Sequence, residues 1–183
     1  MACNLTKGRA INCKDISGGI SAIYLTNFGG LGTITDASSA ITNMTGTFVI
    51  FRYDLNGSAN TFTTTATSSR ENGVTSFATT LSISLPKLSK EDSAELKLIA
   101  YGRPHIIVAD RNGAAFLLGR VNGCSLETAT MTTGGAFGDM SGYTMEFSSE
   151  ETAPPDFING ATTANPLAGM SSATVTVTGG TNS

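Results

Sequence analysis

The chain has 183 residues, a formal net charge of −3 and 14% charged residues, against roughly 25% in an average soluble domain. Thr, Ser and 21 Gly replace the charged residues, and this composition favours β-strands joined by turns over a helical bundle or coiled coil. The length fits one domain with one core, and the acidic balance argues against a protein that binds nucleic acid through a basic face.

The first predicted strand covers Ser21 to Phe28 and is closed by Gly29 and Gly30. The residues before it, about 1–20, are expected to form an N-terminal arm. The Ser/Ala/Thr-rich stretch that follows the strand predicts a connection that extends to about Thr42.

Three strand-like runs follow, at residues 47–55, 60–68 and 74–85. Asn-Gly pairs separate them, and Asn-Gly is a strong turn signal because both residues tolerate positive φ. The pattern predicts a three-stranded antiparallel meander. In the third strand the odd-numbered positions from 77 to 85 hold Phe, Thr, Leu, Ile and Leu, so one face is apolar and the other carries hydroxyl groups.

One helix is predicted from Lys90 to Tyr101. Ser89 has the sequence context of an N-cap, since acidic residues follow it in what would be the first turn. Ala94, Leu98 and Tyr101 have i, i+4, i+7 spacing and predict the stripe that faces the core. Gly and Pro at positions 102 and 104 predict the stop.

A hairpin is predicted from His105 to Ala109 and from Ala115 to Val121, around a turn that ends in Asn-Gly. Both arms have consecutive apolar residues. We therefore expect them in the middle of a sheet that is covered on both faces, with the helix as one possible cover.

A further strand pair is predicted at Ser125–Thr132 and Tyr143–Ser148, around the Gly-rich segment GGAFGDMSG. That segment is interpreted either as a mobile loop or as a tight contact with a neighbouring subunit. A Pro/Thr/Gly-rich extension is expected at about 152–183, with a last strand-like run at Ala173–Thr178. Together the elements predict a mainly β fold: an antiparallel β-sandwich or barrel, one packed helix, and a single domain over residues 1–183.

The sequence offers no catalytic set, and we expect neither an enzyme nor a bound cofactor or metal. His105 is the one histidine, and its position at the start of an apolar strand predicts a structural role. Cys3, Cys13 and Cys124 are odd in number and lack close spacing, which predicts reduced structural thiols. The N-terminus has no apolar segment and no stretch is long enough to span a membrane, so a soluble, unsecreted product is expected.

Charge is distributed unevenly along the chain. All 11 Lys and Arg residues lie at or before Arg120. The last third holds six acids and no base, at Glu127, Asp139, Glu146, Glu150, Glu151 and Asp156. Because these acids are dispersed among Met, Phe, Tyr and Ile residues, they predict a folded acidic surface and not a disordered tail.

The segment from about residue 72 to residue 158 resembles the tail tube (major tail) proteins of tailed bacteriophages. The resemblance is carried by ENGVTSFATTLSISLPKLSKEDSAELKLIAYGRPHIIVADRNGAAFLLGRVNG and, after it, by GDMSGYTMEFSSEETAPPDFI. The shared feature is the order of parts: a strand, a helix, an apolar hairpin, a Gly-Asp-x-x-Gly-Tyr-Thr strand and a Pro-rich exit. Other virion connector or ring proteins share this type of fold.

This resemblance implies a β-sandwich with one helix, six copies of which form a ring whose inner strands merge into a continuous barrel. Rings would stack head to tail into a tube in the virion tail, assembled in the host bacterial cytoplasm with other tail proteins. DNA would pass through the lumen without sequence-specific binding, and no membrane is involved. The alternative from another class is a β-sandwich that recognises a glycan or protein on the host surface.

The charge asymmetry predicts how rings would stack. Head-to-tail stacking joins two different surfaces, and opposite charges on them would set the orientation. The acidic candidates for this contact are Glu150, Glu151 and Asp156, and the basic candidates in an adjacent subunit are Lys7, Arg9, Lys14, Arg70 and Arg111. The hydroxyl face of the meander is expected to line the channel.

Overall fold

The computed structural model describes residues 8–9, 16–57 and 59–179 and is mainly β. The strands are β1 (Ile20–Thr26), β2 (Thr33–Ala37), β3 (Ala40–Asp54), β4 (Thr61–Ser69), β5 (Val74–Pro86), β6 (His105–Asp110), β7 (Ala115–Leu118), β8 (Ser125–Thr132), β9 (Gly142–Glu151), β10 (Asp156–Ile158) and β11 (Ala173–Gly179). The helix α1 (Lys90–Tyr101) lies between β5 and β6.

Seven strands form one sheet, which closes on itself. The order is β1-β6-β7-β10-β3, and β3 also pairs with β1, so these five strands make a small barrel. Strands β2 and β11 extend the sheet beside β3. Two pairings, β10 with β3 and β11 with β3, are parallel, and the others in the barrel are antiparallel.

The barrel interior is one of two hydrophobic cores. Its largest members include Tyr24, Phe48, Ile107 and Leu117, all at most 1% exposed. Because side chains alternate across a strand, the neighbours of Tyr24, Ile107 and Leu117 point out of the barrel and contribute to the second core. This explains why β1 and β6 are buried on both faces.

The four-stranded sheet, in the order β4-β5-β9-β8, packs its apolar face on the outside of the barrel. Leu81 and Ile83 of β5 and Phe147 of β9 meet Ile23 and Val108 of the barrel in this second core. The predicted apolar face of residues 77–85 is therefore confirmed. The arrangement is sandwich-like, as the sequence predicts.

The predicted three-stranded meander is wrong. β4 and β5 do form the hairpin, in register from Thr61 opposite Ser82 to Ser69 opposite Val74. However, β3 belongs to the barrel, where it pairs with β1, β2, β10 and β11. The turn signal at Asn56-Gly57 thus marks a crossing between two sheets, because the second half of β3 pairs with β1 and β11 and not with the strand that follows it.

Two strands lie where the sequence predicts none. β2 and the first half of β3 form a hairpin inside the expected Ser/Ala/Thr-rich connection. β10 lies in the Pro-rich segment, and Asp156 and Ile158 occupy register positions opposite Leu117 and Ala115 of β7. The stretch 152–183, expected as an extension, thus contributes β10 and β11 to the barrel sheet.

The helix bounds and caps are confirmed, but its predicted core stripe is wrong. The Ser89 hydroxyl accepts a hydrogen bond from the Asp92 amide at 3.0 Å, and the helix stops at Gly102. Leu98 is 65% exposed and Tyr101 84% exposed. Residues 92, 96 and 99 have the same spacing as the predicted stripe, and Leu96 and Ile99 of this set are the ones that pack on the second core.

The β6–β7 hairpin and the β8–β9 pair are confirmed. The hairpin lies in the middle of the barrel sheet, as expected for arms with consecutive apolar residues, although β7 ends at Leu118 and not at Val121. Its two covers are the barrel interior and the four-stranded sheet. The helix packs only at the edge of the second core.

Candidate assembly surface

The solvent face of the four-stranded sheet is covered with hydroxyl groups. Thr61, Ser82, Glu146 and Thr128 form one row across all four strands. The next rows repeat this pattern with Thr63, Thr80, Ser148 and Ser125, and with Ser84, Thr144 and Thr130. The side chains in these rows are polar, and all but that of Glu146 are short; Val74, at the start of β5, is an exposed apolar residue on the same face.

Every charge on the strands of this sheet is negative. Their sequences contain Glu127, Glu146, Glu150 and Glu151 and no Lys or Arg. The Ser148 hydroxyl donates a hydrogen bond to the Glu127 carboxylate. Three of the six acids predicted to form an acidic surface, Glu127, Glu146 and Glu150, thus lie on this face.

The sheet has two long free edges. Among the described residues, β4 pairs only with β5, and β8 pairs only with β9. Neither edge strand contains Pro, Lys or Arg, the residues that commonly block an edge. One bulge at Glu127 interrupts the pairing of β8 with β9. Both edges therefore present backbone groups that can pair with another chain.

The two ends of this sheet differ in the segments that they contain. The loop end contains the β8–β9 loop (residues 133–141) and the start of β4. The turn end contains the β4–β5 turn (residues 70–73), the start of β8 and the end of β9. Gly142 and Glu151 bound β9, so the ends are about 30 Å apart at roughly 3.3 Å per residue.

The acidic contact candidates lie at or near the turn end, and two of them are engaged within the chain. The Glu151 carboxylate accepts hydrogen bonds from the amides of Val121 and Asn122, both at 2.9 Å. Asp156 is 9% exposed and forms an ion pair with Arg120 at 2.8 Å. Glu150 is exposed.

Arg120 is an ion-pair centre that sequence reasoning misses. It also binds Asp36 of β2 at 2.8 Å, and the hydrogen bonds to Asp36 and Asp156 raise the pKa of the guanidinium above its ordinary value. It therefore joins the β2–β3 hairpin to β10. No local pattern in the sequence indicates this contact, since its partners lie 84 and 36 residues away.

The basic candidates are separated by the structure. Arg70 lies in the β4–β5 turn at the turn end, on the same side as Glu150 and Glu151. Arg111 donates a hydrogen bond to the Gly57 carbonyl at 2.9 Å, near the start of β4 at the loop end. Arg9 is exposed, while Lys7 and Lys14 lie outside the described residues. Among these, Arg111 is at the end opposite the acids.

A cavity of about 270 Å³ opens near the turn end, between the barrel and the segment 151–156. Leu117, Val121, Pro154 and Pro155 supply apolar lining. The Ser149 side chain also lines it, 6% exposed and with no nitrogen or oxygen partner. The polar group near Ser149 is the thiol of buried Cys124, whose pKa burial raises to about 12. Cys3 and Cys13 lie outside the described residues.

His105 joins three parts of the chain. Its Nδ1 lies 2.6 Å from the Gly119 carbonyl oxygen, and its Nε2 accepts a hydrogen bond from the Gly29 amide at 3.1 Å. The ring stacks on Phe28 at 5.1 Å, and Arg103 lies over the Phe28 ring at 4.4 Å. Burial lowers the pKa of the imidazole, so the neutral ring donates through Nδ1 and accepts through Nε2. These contacts give His105 a structural role, because they connect the segments around residues 28, 105 and 119.

The Gly-rich loop between β8 and β9 is a compact turn. Asp139 accepts hydrogen bonds from the amides of Gly135 at 2.9 Å and Ala136 at 2.7 Å, and these bonds lower the pKa of its carboxyl group. Phe137 at its tip is fully exposed. The one sequence signal for this feature is an aromatic residue inside a glycine-rich turn.

No three His, Cys, Asp or Glu residues among those described are grouped so as to hold a metal ion. In the same part of the chain, the single helix is too short and too polar to span a bilayer.

No protein-family model and no curated protein matches the sequence. Among solved structures, the chain is similar to one from a structure described as "Virion of native gene transfer agent (GTA) particle". The likeness has a TM-score of 0.37 and 11% sequence identity and covers 58% of this chain and 88% of that chain. A TM-score of this size does not establish a common fold.

Proposed function

We propose that the protein is a virion structural protein, a tail tube subunit that assembles into hexameric rings. The rings stack head to tail and, with other tail proteins, form the conduit through which DNA leaves the particle. The observation that carries the proposal is the four-stranded sheet. It combines two edges that contain no Pro, Lys or Arg with a solvent face of hydroxyl and carboxylate groups.

The strand directions suit a closed ring. The strands alternate in direction in the order β4, β5, β9, β8. When β8 of one subunit lies beside β4 of the next, the new pair is therefore also antiparallel. An even number of alternating strands in each subunit allows this pairing to continue around a ring without a mismatch.

The expected diameter suits DNA. Six copies give 24 strands, from four strands in each sheet. At a spacing of about 4.8 Å and a tilt of about 40°, such a barrel is about 48 Å across between backbones. Side chains on both walls reduce this to roughly 40 Å, which is well above the sum of about 16 Å of the two groove depths of a DNA duplex, about 8.5 and 7.5 Å.

The charge of the sheet suits passage without binding. Glu146 and Glu150 point from the solvent face, and no strand of the sheet contains Lys or Arg. Phosphates are repelled by such a wall, and the hydroxyl rows offer no cationic contact. A conduit that bound the backbone of DNA would delay its release.

Electron microscopy of the purified chain tests assembly. Thr65→Pro and Ala66→Pro are made separately, because consecutive amides in β4 point alternately to β5 and to the free edge. We expect the variant whose missing amide points to the free edge to keep the melting temperature of the parent protein and to form no rings. The variant whose missing amide points to β5 loses a hydrogen bond within the subunit. Thr80→Ser, in a central strand of the same face, is the control and assembles normally. Monodisperse monomers of the parent protein that bind host cells would contradict the proposal.

A charge reversal tests whether the solvent face of the four-stranded sheet lines the lumen of the tube. We expect tubes of a Glu146→Lys variant to retain short duplex DNA, with release on raising the salt concentration. Tubes of the parent protein retain none. Equal DNA retention by both kinds of tube would place this face away from the lumen.

A further inference from the structure

Phe137 projects from the β8–β9 loop at the loop end of the sheet. It is fully exposed. The two amide hydrogen bonds to the Asp139 carboxylate, together with that from the Asp139 amide to the Ala136 carbonyl at 3.0 Å, close the loop beneath it. The loop therefore holds a large apolar ring in solvent although burial of that ring is favourable.

The cavity near the turn end is large enough to receive such a ring, and Leu117, Val121, Pro154 and Pro155 give it an apolar part beside the polar side chains of Thr79, Ser149 and Thr152. It measures about 270 Å³, whereas an apolar cavity of about 150 Å³ is enough to bind benzene. Glu151 and Arg120 at its rim already have partners within the chain. An entering aromatic ring would thus leave no charge without a partner.

The ring and the cavity of one molecule are too far apart to meet. They lie toward opposite ends of β9, which are about 30 Å apart. A contact between them must therefore join two copies, and it uses a different surface on each. Such heterologous contacts continue from copy to copy when no rotation closes them.

We propose that Phe137 of one copy inserts into the cavity beside Ser149 and Pro155 of a second copy in the next ring. This inference rests on the tube assembly proposed above and adds the axial contact between rings. Within the described residues, neither the exposed ring of Phe137 nor the open cavity has a partner. The proposed contact makes each the partner of the other in a neighbouring copy.

The contact area explains why stacking would need a ring. One aromatic side chain buries about 150–250 Å², while a stable interface buries about 1,200–2,000 Å². A single Phe137 contact is too small to hold two subunits together. Six contacts repeated around a ring act together, so stacking is expected only after rings have formed.

Photo-crosslinking tests the contact directly. A diazirine analogue of phenylalanine replaces Phe137, and isotope-labelled and unlabelled copies of the full chain are mixed before assembly and irradiation. Mass spectrometry is expected to find cross-links between copies at residues 117–121 or 152–156. Cross-links at other positions, or only within one copy, would overturn the inference.

Variants on both sides of the contact test its effect on stacking. Phe137→Ser removes the ring, and Ala153→Trp, at an exposed residue lining the cavity, fills the receptor. Each is expected to keep ring formation and to raise the concentration needed for tubes at least tenfold. Leu98→Ser removes a similarly exposed apolar group from the helix and is the control, with no change expected.

The outcomes separate the two proposals. Tubes of Phe137→Ser that form at the concentration of the parent protein would refute the axial contact and leave the tube proposal standing. A parent protein that forms neither rings nor tubes would refute the proposed function, and the contact with it.

Discussion

Replacement of Leu81 by Ala tests which face of the four-stranded sheet is buried. Leu81 is 1% exposed in the middle of β5. It lies in register between Phe62 of β4 and Phe147 of β9 and packs in the second core. Thr80, the preceding residue, points to the opposite face and is exposed.

The expected cost follows from what the substitution removes. Leu→Ala takes away three carbon atoms, worth about 2.4 kcal/mol at about 0.8 kcal/mol each. The cavity left behind raises the total to about 3–4 kcal/mol, a large part of the usual 5–15 kcal/mol. For a chain of this length, about 2–4 °C per kcal/mol gives a fall in melting temperature of about 6–16 °C.

The measurement is thermal and urea unfolding of subunits kept dilute, because assembly would add apparent stability. Thr80→Val keeps the β-branched shape at the neighbouring exposed position and is the control. We expect it to change stability by no more than about 0.5 kcal/mol. Equal losses for the two variants, or a loss at Thr80 alone, would show that the faces are inverted.

Three further predictions concern local contacts. Ser89→Ala removes the helix N-cap and should lower the free energy of unfolding by about 1 kcal/mol, measured by thermal unfolding, while electron microscopy should show normal rings. Loss of ring formation at unchanged stability would place this helix end in an interface. Burial lowers the pKa of His105. The neutral imidazole therefore makes its full contribution to the stability of the fold above about pH 6.5, the pKa of an unperturbed histidine, and loses it as the pH falls from there toward the lower pKa of the folded protein. The imidazole NMR signal of His105 should accordingly titrate below about pH 6.5. Asp156→Asn should destabilise the subunit by about 1 kcal/mol because Arg120 loses a partner, whereas Glu150→Gln should only slow tube growth and reduce its salt dependence. Unchanged growth and salt response in Glu150→Gln would remove that residue from the ring interface.

The Asp156 prediction corrects a simpler expectation. Neutralising Glu150, Glu151 and Asp156 together would be a pure test of ring contacts only if all three were free. Two of them hold the chain together at the cavity rim, so the triple variant mixes a loss of subunit stability with any loss of assembly. The exposed Glu150 is the cleaner probe.

Features that depend on a few consecutive residues could be predicted. The alternation of Leu81, Ile83 and their neighbours determines the buried face of β5, because side chains on a strand have a period of two. Ser89 and Gly102 mark the helix ends because capping is a contact within one turn. The turns of the β4–β5 and β6–β7 hairpins are fixed by Gly residues at positive φ.

The candidate site was only partly predictable. The sequence places the acids in the last third and the hydroxyl groups on one face of β5. It does not show that Glu146 lies in a row with Thr61 and Thr128 of strands distant in the chain. Nor does it show that the cavity exists, since residues 79, 117, 149 and 155 meet there only after both sheets have formed.

Local sequence patterns are enough to predict that the protein is β-rich, where most strands and the helix lie, and which face of β5 is apolar. Tertiary structure alone decided that β3 leaves the meander for the barrel, that β10 forms in a Pro-rich segment, and that Ile99 and not Leu98 faces the core. The physical reason is the range of the interactions involved. Periodicity, caps and turns are free-energy preferences of neighbouring residues, whereas strand partners and the buried stripe of a helix are chosen by the total apolar surface that distant segments bury together.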